Sequence, residues 1–75
     1  MTKTEIVHNL KDQMVNYYRS AAYWTKQDDE SARVSALRDA DSVFWTGLAL
    51  LGDSWADRLR TARSEAVDEA YELQH

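Results

Sequence analysis

Residues 43–51 read VFWTGLALL, and a helix built from them is apolar on every side. A surface helix needs one apolar stripe, whereas a helix that is apolar all round has to be enclosed. Nine residues fall far short of the roughly 20 that cross a bilayer, so protein must do the enclosing. The chain has only 75 residues for the purpose, near the lower limit for a self-sufficient core. Small domains of this size lean on a staple or on oligomerisation. Either the rest of the chain wraps Val43 to Leu51, or a second copy covers it.

Outward from this segment the sequence offers helices and little else. It contains no proline, and its two glycines are Gly47 and Gly52. Turn-forming residues are therefore scarce, and strand-type alternation is absent. Cysteine is absent, which removes disulfides, thiolate metal sites and thiol nucleophiles. The opening MTKTEIVHNLKDQ has no apolar core of a secretory signal. We expect one soluble, cytoplasmic, all-α domain over residues 1–75.

Three helices emerge from the periodicity, at about residues 3–24, 29–51 and 54–74. Thr2 and Glu5 form a capping-box pattern for the first. Val7, Leu10, Met14, Tyr17, Ala21 and Trp24 follow at spacings of three and four, a heptad-like coiled-coil seam. Val15, Tyr18 and Ala22 widen it, so this helix should touch more than one neighbour. Thr25 to Arg33 is the polar break, with Thr25, Asp28 and Asp29 as candidate caps for the second helix. That helix carries Leu37, Ala40, Phe44, Leu48 and Leu51 on one face, and Ala36, Val43, Gly47 and Leu50 on a second stripe. Gly52 reads as a left-handed stop, with Asp53 or Ser54 capping a third helix. The third helix buries Trp55, Leu59, Ala62, Ala66, Ala70 and Leu73.

The apolar positions from Leu37 to Leu73 keep helical phase straight through Gly52, in an eleven-residue period. An antiparallel three-helix bundle is the expected fold. The alternative is a helical hairpin in which one long helix runs from about Asp29 to the C-terminus and dimerises into a four-helix-type bundle. In either form Val43, Phe44, Gly47, Leu48 and Leu51 are the expected self-association residues, and a homodimer is the expected assembly.

Catalytic chemistry finds few carriers. There is no phosphate-binding glycine loop and no nucleophile elbow. Asp39 and Asp41 are two apart, so they point away from each other on a helix. Glu5 with His8 and Glu72 with His75 have the Glu-x-x-His spacing of di-iron bundles, but the two pairs belong at opposite ends of an up-down-up bundle. No enzyme activity, cofactor or metal is expected.

Binding is the remaining class. Net charge is −4, from thirteen acidic and nine basic residues, which disfavours sequence-independent nucleic-acid binding. Glu65, Asp68, Glu69 and Glu72 fall on one helical stripe near a C-terminus, where like charges repel and the dipole is unfavourable. They dock on a basic partner or mimic nucleic-acid phosphates, or they are simply a solvated face, or they pair with Arg19 and Lys26 on a neighbouring helix. Tyr23 has polar helical neighbours, and Trp45 lies at a core edge, so both are candidate interface anchors. Trp45-Thr46-Gly47 resembles the Trp-x-Gly signature of small helical hairpins secreted by type VII systems. In that family the motif occupies the turn between two helices; here it lies inside the most apolar segment, and the chain is not assigned to the family.

The expected function is thus a non-catalytic protein–protein interaction module. It would be a small acidic adaptor or inhibitor that occludes a site on a larger protein, of the kind phages and mobile elements encode. Tyr23, Trp45, Glu65, Asp68, Glu69 and Glu72 are its expected partner-binding residues. The alternatives are a structural homo-oligomer, and a small DNA-binding regulator using Arg58, Arg60 and Arg63.

Overall fold

Thr2 is extended (φ −78°, ψ 160°), and its hydroxyl oxygen accepts the Glu5 backbone N–H at 3.1 Å. The same hydroxyl donates to the Glu5 carboxylate. This cap starts α1, Lys3–Lys26. A computed structural model describes residues 1–72, in which α1 is followed by α2, Glu30–Leu51, one 3-10 turn, Asp53–Trp55, and α3, Ala56–Glu72. No strand is present among the described residues.

The polar break is tighter than the sequence suggests. α1 runs on to Lys26, and Asp28 turns the chain by taking a positive φ of 57°. Aspartate tolerates this left-handed conformation better than most residues, which is why no glycine is needed. Asp29 is the cap that is used: its carboxylate accepts the Ala32 N–H at 3.0 Å.

The second break is where sequence alone left two architectures open. Gly52 sits at φ 92°, ψ 167°, a region that only glycine enters readily. This is not the left-handed helical geometry expected of a C′ glycine. The chain therefore reverses at Gly52, and the continuous long helix is not formed. Neither Asp53 nor Ser54 supplies a side-chain cap to the turn that follows.

The helices run up, down, up. Gly47 of α2 faces Leu10 of α1 and Leu59 of α3, while Lys11 of α1 reaches Glu65 and Glu69 of α3. α1 is the central element and packs along both others, whereas α2 and α3 touch each other much less. Its buried arc must face two neighbours, so it takes Met14, Val15, Tyr18, Ala21 and Ala22. Tyr17, expected in the seam, is turned out and 37 % exposed. Alanines at 40, 62, 66 and 70 make thin contacts in one cluster with Phe44, Leu51, Leu59 and Met14. Among the described residues no charged or amide side chain is buried. The aromatic core is smaller than expected, because Trp24 and Trp55 are only half-buried. Leu73 lies outside the described residues.

Candidate interaction surface

The helical period that buries Ala36, Ala40, Phe44, Gly47 and Leu51 fixes what α2 must show to solvent. Its outward strip carries Ser42, Thr46 and Ala49, all exposed. Trp45 and Leu50 stand at the two edges of this strip, five positions and hence about 140° apart. Trp45 is 61 % exposed and Leu50 is 66 % exposed. Leu50, expected in the second buried stripe, is freed by register. Gly47 meets α1 at Leu10, while Leu50, about one turn further on, is left exposed.

Trp45 is held in place although it is exposed. Its ring meets Phe44 edge-on, with centroids 5.4 Å apart and planes at 78°. Arg63 of α3 lies over the Phe44 ring at 4.1 Å. The guanidinium thereby bridges the seam in which α2 and α3 make little other contact. On the opposite flank of α2, Leu10, Gln13, Tyr17, Asp39, Ser42, Val43 and Thr46 line an open groove of about 200 Å³ between α1 and α2.

The expected self-association residues divide in two. Phe44, Gly47 and Leu51 are enclosed by the chain's own α1 and α3, and Val43 and Leu48 are half-buried. No second copy is needed to cover them. The apolar surface left open in the same segment is Trp45, Ala49 and Leu50.

The acidic stripe is partly neutralised from within. Lys11 approaches Glu65 at 2.9 Å and Glu69 at 3.0 Å, a cation that the expected pairing with Arg19 and Lys26 did not include. Hydrogen bonds to Glu65 and then Glu69 hold the Lys11 ammonium above its ordinary pKa, against a smaller opposing effect of burial. Asp68 and Glu72 are exposed and lie beyond the reach of this pair. Tyr23 is 49 % exposed at the far end of α1, edge-on to Trp24 at 4.8 Å. The expected anchors Tyr23 and Trp45 therefore sit on different helices from the acidic residues and do not form one constellation.

No protein-family model, curated protein or solved structure matches the chain. The geometry must carry the functional reading alone. The three arginines do not converge: Arg58 stacks on Trp55 at 4.3 Å, Arg60 pairs with Asp57 at 2.8 Å, and Arg63 covers Phe44. Glu5 is engaged by Thr2, and His75 lies outside the described residues. Among the described residues no group of three or more acidic or histidine side chains could hold a metal ion. No described helix is long and apolar enough to cross a membrane. A second concavity, at Trp24, Thr25, Asp28, Asp29, Glu30 and Arg33, is built from the turn itself. There Asp29 caps α2 and Arg33 pairs with Glu30.

Leu50 and the Phe44–Arg63 stack escaped the sequence reading. A helical projection of α2 would have placed Leu50 beside Thr46 and Asp39. Nothing in the sequence signals that an arginine of the third helix lies over Phe44.

Proposed function

We propose that the protein is a non-catalytic binding module, a small adaptor or inhibitor that occludes a site on a larger protein through the outward surface of α2. One observation carries this reading: Trp45 and Leu50 are mostly exposed on a helix whose other faces are locked into the core. Large apolar side chains on a rigid element act as anchors, because little conformational entropy is lost when a partner covers them. Ser42, Thr46 and Ala49 between them are small and let a partner approach the helix closely. Net charge of −4 favours a partner with a basic rim, and Asp68 and Glu72 add to that field without pairing to Lys11. The acidic stripe is then a steering element, and α2 supplies the affinity.

A photo-crosslinking side chain placed in turn at positions 45, 50, 68 and 16 tests the reading in the cells from which the protein comes. Positions 45 and 50 are expected to give one discrete heavier adduct, and Asn16, exposed on α1, none. Adducts from 68 alone would return the docking role to the acidic stripe. Labelling that does not depend on position would refute a binding surface on α2.

A further inference from the structure

We propose that the elbow at Gly52 is an exchange hinge, through which α3 leaves its own α1 and packs on α1 of a second copy. The exchanged dimer contains the same contacts as the monomer, with α2 and α3 joined into one helix over residues 30–72. Three features of the fold support this.

The buried positions on the two sides of the elbow are in phase. The row Ala40, Phe44 and Leu51 in α2 continues as Leu59, Ala62, Ala66 and Ala70 in α3, with half-buried Leu48 and Trp55 at the intervening turns, while Ala36 and Gly47 are buried beside this row in α2 alone. Straightening the elbow therefore puts both apolar stripes on one side of a single helix, where two copies of α1 can cover them in succession. A sequence whose buried face is continuous has two packings that satisfy the same contacts.

Little holds the elbow shut. Asp53–Trp55 buries no residue and has no side-chain cap. A Cβ at Gly52 would meet nothing within 4 Å, so Gly52 is required there by its backbone conformation and not by space, although Leu51 and Trp55 beside it pack on the core. α2 and α3 each pack chiefly on α1, and opening the elbow breaks few contacts between them. The Lys11 pair with Glu65 and Glu69 re-forms between chains. Short elbows of this kind are the usual sites of domain exchange.

The absence of cysteine makes the test direct. Lys11→Cys with Glu65→Cys, bridged by a short bis-maleimide, links α1 to the α3 packed on it. The product is an intrachain link in the closed monomer and a covalent dimer in the exchanged form. Gly52→Ala disfavours the positive φ and favours a continuous helix. It is expected to raise the dimer association constant about tenfold or more by sedimentation equilibrium, and to convert the crosslinked product to the covalent dimer. Inserting Gly-Ser-Gly-Ser after Gly52 should keep the chain monomeric and the link intrachain. The native elbow, refolded from denaturant at high protein concentration, should give a minor interchain product. A monomeric Gly52→Ala chain with intrachain links would overturn the proposal. So would the absence of interchain product from the native elbow, which decides alone if Gly52→Ala fails to fold.

Discussion

At the scale of single residues, Gly47 and Tyr18 are the positions where small changes are most informative. A Cβ at Gly47 would lie 2.6 Å from Leu10 Cδ1 and 3.4 Å from Leu59 Cδ2. The Leu10 methyl is the end of a flexible, half-buried side chain and can swing towards the open groove. Alanine also gains about 1 kcal/mol of helix propensity over glycine. Gly47→Ala should therefore stay within about 1 kcal/mol of the native stability, whereas Gly47→Leu should lose about 2 kcal/mol or more by overpacking. Equal urea midpoints for the two variants would refute the close approach. Tyr18 is buried, and burial, helped by the Asp41 charge and opposed by Arg63, raises its hydroxyl above the ordinary 10.0. Lys11 is raised above 10.5. Both groups hold their protons more tightly when folded, so the stability they contribute is intact below about pH 10. It is lost as pH rises from the unfolded values through the raised ones. The urea midpoint should be flat from about pH 7 to 9 and fall above about pH 10. The fall should be shallower in Tyr18→Phe; identical profiles would mean that the Tyr18 hydroxyl plays no part.

At the scale of elements, the helices were legible and their faces only in part. Thr2 and Asp29 act as the caps their types suggest, and the small-residue face of α3 is buried as spaced. The seam of threes and fours on α1 includes Tyr17, with Val15, Tyr18 and Ala22 widening it towards a second neighbour. A helix wedged between two others buries a wider arc, and that rotates Tyr18 in and Tyr17 out. The stripe through Ala36, Val43, Gly47 and Leu50 is buried at Ala36 and Gly47 and exposed at Leu50. Periodicity gives the angle of a residue on its own helix but not where the neighbouring helix ends. The same substitution at two leucines measures this. Leu59→Ala, at a fully buried position, should cost about 2–5 kcal/mol. Leu50→Ala should cost less than about 0.5 kcal/mol, and comparable losses at both would mean that α2 is seated differently.

At the scale of the whole molecule, the choice between a bundle and a hairpin of long helices rested on the backbone of one residue. Phase continuity across Gly52 fits both, and only the φ of 92° separates them. The candidate surface was half legible: Trp45 was visible as a core-edge aromatic, but the enclosure of Phe44, Gly47 and Leu51 by their own chain was not. Pattern alone does not say whether an apolar segment is covered from within or from outside. The central position of α1 has a consequence for how the chain is made. α1 precedes both of its partners in the chain and is the scaffold for them, yet its buried arc is complete only when α3, as far as Ala70, has been added. Contacts between α1 and α2 close over short sequence separations, while Lys11 and Glu65 are 54 positions apart. Loop closure favours the shorter separation, so the α1–α2 hairpin assembles first. A nascent chain therefore passes through a stage in which half of its first helix is still bare, and α3 docks last.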